Sequence, residues 1–251
     1  MEQLKTPRGE TSPSRQEDGL GRIEDLEEFY HTMRSLKDRL NGFRRLKNCS
    51  GSMDWPARGV YFFFDDNEPR GNKEDLRVVR VGTHGLKAGS KTSFWDRLRQ
   101  HKGYEEGTRI GGGNHRGSVF RKHVGAAILE KMGRANQYVS WGKGSTASSA
   151  IVEKEYEVEK WVSAYIREMP FLWLRVADEQ GPNSLRGYLE RNSIALLSNY
   201  HKLCIDPASQ NWLGRFSSND KITGSGLWNI NHVDEGYEPK FLNLLEKYVC
   251  N

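Results

Sequence analysis

Apolar residues first recur at steps of three and four between Arg22 and Lys47: Ile23, Leu26, Phe29, Tyr30, Met33, Leu36, Leu40 and Phe43. That period predicts a helix with one buried stripe. The pattern then changes. Val60-Tyr61-Phe62-Phe63-Phe64 is a continuous apolar run, read as a strand buried on both faces. Residues 65–75 are polar, with Pro69 and Gly71, and predict a long hairpin loop. Residues 77–81 alternate as a second strand. Thr92 is placed to cap a helix running to His101 or Lys102, with Gly103 as its stop. Helical spacing returns over 118–132. It is strongest over 151–169, where Val158, Trp161, Val162, Tyr165, Ile166 and Met169 share a face. Residues 171–176 read as a third strand, Ser184 caps a helix to about Ser198, and a short helix over 239–249 closes the chain.

Strands interleaved with helices predict an α+β or α/β layered fold. The chain divides into a polar, disordered tail (1–20), an N-terminal helical segment (21–55), a core (56–200) with a helical insertion at 133–169, and a C-terminal extension (201–251).

Composition narrows the function classes. The 251 residues suit one decorated core or at most two small domains. Aromatics at 11%, with 7 Trp, exclude a wholly disordered chain. Cys49, Cys204 and Cys250 are far apart, which argues against a disulfide framework or a cysteine-rich zinc site and fits a reducing compartment. No run is long enough to span a membrane and the opening residues carry no apolar leader, so a cytoplasmic protein is expected. A net charge of +5 points weakly toward nucleic acid. The cations concentrate between Lys91 and Lys122: Lys91, Arg97, Arg99, Lys102, Arg109, Arg116, Arg121 and Lys122.

Within that stretch, Arg97 and His101 sit one helical turn apart on a shared face. A guanidinium there suits a phosphate oxygen, and an imidazole suits a hydrogen bond or proton transfer. The glycine-rich run Gly111-Gly112-Gly113-Asn114-His115-Arg116-Gly117-Ser118 enters the next predicted helix. His115, Arg116 and Arg121 are read there as nucleic-acid contacts, with free N–H groups facing an anion. It is no P-loop, lacking Gly-Lys-Ser/Thr. Trp212, Trp228, Tyr200 and Tyr237 either stack on bases or pack a loop-rich lobe onto the core; the packing reading is the commoner one.

Read together, Gly59-Val60-Tyr61, Arg80-Val81-Gly82, Arg97 with His101, and Glu190 in Tyr188-Leu189-Glu190-Arg191-Asn192-Ser193-Ile194 resemble the GIY-YIG endonuclease family. The resemblance covers about 59–199. It implies an α+β core with a small three-stranded sheet flanked by helices. It implies catalytic roles for Tyr61, Arg97, His101 and Glu190, with Glu190 holding Mg²⁺ or Mn²⁺. It further implies cleavage of DNA phosphodiesters, with RNA left open as the alternative and strandedness not specified, and by analogy a restriction, mobile-element or phage-defence setting. The family's asparagine beyond the last core helix maps nearest to Asn199, then Asn211 and Asn229. Arg80 departs from the pattern by standing where the family has its second tyrosine. It either adds a phosphate contact or marks a non-cleaving, nucleic-acid-binding domain. A third reading is a protein–protein adaptor using the 22–47 helix and the aromatic tail.

Overall fold

The computed structural model describes residues 15–71 and 75–250. Residues 1–14, most of the expected tail, lie outside the described residues. Helix α1 (Arg15–Arg39) leads into a two-residue strand β1 (Arg44–Arg45). Strands β2 (Gly59–Pro69) and β3 (Leu76–Gly82) form a hairpin, followed by α2 (Phe94–Lys102), α3 (Val119–Lys131) and α4 (Ser149–Glu168). Strand β4 (Pro170–Arg175), α5 (Leu185–Leu197), α6 (Asp220–Ser225) and α7 (Phe241–Cys250) complete the chain.

The sheet is antiparallel throughout, in the order β1-β4-β2-β3. It is the expected α+β core with a fourth strand, β1, added at one edge. The sequence reading runs α1 on to Lys47. The helix stops at Arg39 because Asn41 and Gly42 adopt positive φ (56° and 101°), a left-handed pair that cannot continue a helix. At its other end α1 begins at Arg15, inside the stretch read as tail. The expected hairpin loop is also shorter: β2 continues to Pro69, which pairs with Leu76.

Alternation along β2 builds two cores. Val60, Phe62 and Phe64 face α1, α5 and α7, whereas Tyr61 and Phe63 face α2, α3 and α4. The helix read as an insertion is therefore structural: Val158, Val162 and Ile166 of α4 are fully buried on the second face. The C-terminal segment is equally integral. Trp212 and Trp228 are buried, and Trp228 N–H donates to Val79 O at 2.7 Å along the free edge of β3. Asn229 continues this edge cover, its amide accepting from Val81 N–H and donating to Val81 O. Such cover removes an open edge that would otherwise invite pairing.

A buried ion pair pins this lobe to the hairpin. Arg77 donates to Glu68 at 2.9 Å and to Gly226 O at 2.6 Å, and Glu68 also accepts from Ser209 N–H. Removing one partner strands a desolvated charge. Arg77→Ala is expected to lower unfolding free energy by about 3–5 kcal/mol in urea titration. A loss under about 1 kcal/mol would contradict the anchoring role.

Candidate active site

The site grows from one cross-strand pair. Tyr61 of β2 sits opposite Gly82 of β3. A Cβ at residue 82 would collide with the phenol, so the absent side chain makes room for the Tyr61 ring. Phe63 pairs with Arg80 and Phe64 with Val78, leaving Val79 as an extra residue in β3. The register from Tyr61 to Phe63 is regular, so Arg80, opposite Phe63 and two residues before Gly82, lies on the same face as Tyr61, and the bulge falls just beyond it. The guanidinium lies 4.7 Å over the Phe120 ring and donates to Trp228 O at 2.9 Å.

Helix α2 supplies the next two groups. Its start is fixed one residue beyond the expected cap: Ser93 and Asp96 form a reciprocal capping box. After nine helical residues Gly103 ends it. His101 is fully buried and its Nε2 lies 2.9 Å from Tyr61 Oη. Its Nδ1 lies 2.9 Å from Ser118 Oγ, at the start of α3. Arg97, one turn earlier, is half-buried and donates to Gln100. The Nε atoms of Arg80 and Arg97 are both buried without a hydrogen-bond partner.

Helix α5 supplies the carboxylate. Ser184 caps it, and the buried Arg186 ties its first turn to Asp178 and to His84 O. Glu190 lies four residues beyond Arg186 and accepts from Thr83 N–H at 3.2 Å, directly after β3. Thr83 in turn donates from Oγ1 to Gly59 O at 2.7 Å, closing the hairpin end around the site.

Charges here act on one another. Burial pushes the Glu190 carboxyl above its ordinary range, with Arg80, His232 and Arg97 opposing that shift. Burial, then Arg97, Arg80 and Arg121, hold His101 well below the ordinary histidine value, so the imidazole is neutral. Burial also lowers Arg80. Tyr61, Arg80, Arg97, His101 and Glu190 are thus brought together. Neither Arg80 nor Arg97 forms a close ion pair among the described residues, and two such guanidiniums at one face are suited to a phosphodiester.

The other sequence candidates have internal partners. His115 stacks on Trp141 and binds Glu159 through Nδ1 at 2.9 Å. Arg116 pairs with Glu155, and Arg121 with Glu159, all largely buried. The glycine-rich loop is therefore tied to α4 rather than presented to an anion. Asn199 lies within the C-terminal lobe, where its side chain accepts from Arg22 and Ile205 N–H and donates to Asp206 O. Of the three asparagines named, Asn229 is the one beside the hairpin, where it covers the edge of β3. Its pairing with Val81 has no signature in the sequence.

A cleft of about 1010 Å³ opens beside Glu190, with Leu86, Lys87, Tyr188, Arg191, His232 and Lys240 among its walls. Glu235 and Glu238 pair with Arg191, His232 and Lys240, so its rim is close to neutral.

His123, on α3, is pushed down to about 4, first by burial and then by Lys122 and Arg80. Its folded value lies below the ordinary 6.5, so the contribution of His123 to stability is fully present above that pH and is lost as pH drops toward 4. His123→Gln is expected to remove up to about 3 kcal/mol of this acid sensitivity. Denaturant titration of both proteins at several pH values reads the difference; parallel curves would contradict it.

The chain matches the GIY-YIG domain over residues 20–251. It belongs to the GIY-YIG family, and the match takes in the N-terminal helix and C-terminal lobe as well as the 59–199 stretch. Membership points to nuclease chemistry in general. No curated protein and no solved structure matches the chain.

Proposed function

We propose that the protein is a divalent-metal-dependent endonuclease that hydrolyses DNA phosphodiester bonds. The observation that carries this reading is the convergence of Tyr61 and His101 with two guanidiniums, each with an unpartnered buried Nε, and with Glu190 at one end of the hairpin.

Arg97 and Arg80 would hold the non-bridging phosphate oxygens and meet the charge that grows on them in the transition state. Tyr61 would orient the attacking water through its phenol oxygen. His101, neutral and buried, holds the phenol in place. Glu190 is the group that would hold Mg²⁺ or Mn²⁺. No cluster of three or more His, Cys, Asp or Glu is present among the described residues, and one carboxylate completed by water and phosphate oxygens is a normal arrangement for Mg²⁺. One Glu190 oxygen accepts from Thr83, which leaves the other available. When bound, the ion would supply Lewis-acid stabilisation of the phosphate and its leaving oxygen.

A second reading is a non-cleaving nucleic-acid binder, favoured by Arg80 in the second-tyrosine position. Single- and double-stranded oligonucleotides of DNA and RNA, incubated with Mg²⁺ or EDTA, separate the two. The nuclease reading expects product with Mg²⁺ alone. Salt-sensitive binding without product under every condition would favour the binder. The adaptor reading loses its surfaces: Leu26, Phe29, Tyr30, Met33 and Leu36 of α1 and both tail tryptophans are buried in the fold.

A further inference from the structure

The cleft beside Glu190 is continuous with the candidate active site, because Glu190 belongs to both. One of its carboxyl oxygens accepts from Thr83 N–H, and the residue also lines the cleft. One wall is the stretch that leaves Thr83, with Leu86 and Lys87. Another is the start of α5, with Leu185 and Tyr188. Backbone and amide bonds hold these walls in place. Gly181 N–H donates to Leu86 O at 2.9 Å. Gln180 donates to Ser90 O at 2.6 Å and accepts from Gly89 N–H at 3.1 Å. The space of about 1010 Å³ is therefore built into the fold, on the scale of sites that hold small organic molecules.

Charge decides what the cleft suits. A track for duplex phosphates needs a row of free cations. Here Arg191 and His232 are both bonded to Glu235, and Lys240 is paired with Glu238. Lys87 is exposed and has no acidic partner among the described residues. One free ammonium beside leucine side chains and a tyrosine ring fits a single nucleotide, its flat base against the apolar wall and a phosphate toward Lys87. A base can enter such a recess only when it is out of the double helix.

We propose that this cleft holds the base of one unpaired nucleotide next to the scissile phosphate, which makes single-stranded or locally unpaired DNA the substrate class. The proposal rests on the reading of Glu190 as part of a DNA-cleaving site.

The experiment measures binding of the full chain by fluorescence anisotropy in EDTA, where no cleavage is needed. The probes are three labelled DNAs of equal length: a mixed-sequence single strand, the same sequence as a blunt duplex, and a strand of abasic sugar-phosphates. Wild type is expected to bind the single strand roughly tenfold more tightly than either of the others. Leu185 is 36% exposed, so Leu185→Asn makes the cleft polar without changing charge or emptying the core. That variant, with its folding checked by a melting curve, should bind the single strand roughly tenfold more weakly and the abasic strand as wild type does. Equal binding of single and abasic strands by wild type would overturn the proposal even if the variant fails to fold. So would a folded Leu185→Asn protein that keeps the full preference. With Mg²⁺ added, equal cleavage of single strand and duplex would overturn the base-holding cleft and leave the nuclease reading standing. A base preference lost in Leu185→Asn, in a protein that cleaves nothing, would support the cleft assignment and count against the nuclease reading instead.

Discussion

Glu190→Ala is expected to reduce metal-dependent DNA cleavage by roughly 10³-fold or more, because it removes the carboxylate proposed to hold the ion. Stability should change little. The variant loses one acceptor for Thr83 N–H, worth about 1 kcal/mol, and also relieves the cost of a carboxylate whose ionisation burial already disfavours. The same burial gives a pH prediction with a definite sign. Ion binding needs the ionised carboxyl, and its value is raised, so cleavage by wild type should be present above that value and fall as pH drops through it. A pH–rate profile measured alongside a melting curve reads both effects. Activity lost together with folding would point to a structural Glu190 instead.

Arg97→Ala and Tyr61→Phe should each lower kcat by on the order of 10²–10³-fold. The two changes ought to leave different traces. Arg97 is half-buried, its guanidinium bonded to Gln100 alone among the described residues, so its removal costs the fold little. Arg97→Lys keeps the charge and loses the planar fork, and should recover only part of the rate. Tyr61→Phe keeps the ring packed against Gly82, Phe63 and Phe94 but removes the hydroxyl at His101 Nε2. Its melting temperature should fall, because the buried His101 Nε2 then loses its hydrogen-bond partner. Single-turnover cleavage by folded variants tests both. A Tyr61→Phe enzyme with wild-type kcat would remove the phenol from the mechanism.

The parts of this site legible in the sequence are those written in local spacing. Gly59-Val60-Tyr61 at the head of an apolar run, Arg97 and His101 one turn apart, and Glu190 after a strand and a serine cap all mark positions that the hairpin and helices then gather. The core helices and three of the four strands were likewise visible as changes of period. What escaped depends on partners far apart in the chain. The basic run around 111–122 looks like an anion site until Glu155 and Glu159, one turn apart on α4, arrive to neutralise it. The α4 segment itself looked like an insertion because nothing local says that Val158 and Val162 meet the sheet. The edge cover from Trp228 and Asn229, about 150 residues from β3, has no local cue at all. β1 is two residues long, too short to show alternation. Arg80 could be seen as a departure from the family pattern, but its place opposite Phe63, on the Tyr61 face, depends on a strand register that no local spacing prints.

The most direct test is to incubate supercoiled plasmid and single-stranded DNA with equal amounts of wild type and Glu190→Ala, each with Mg²⁺, Mn²⁺ or EDTA. The account predicts nicked, linear or shortened product from wild type with either metal, and none from the variant or in EDTA. Equal cleavage by both proteins, or wild-type cleavage that persists in EDTA, would contradict it.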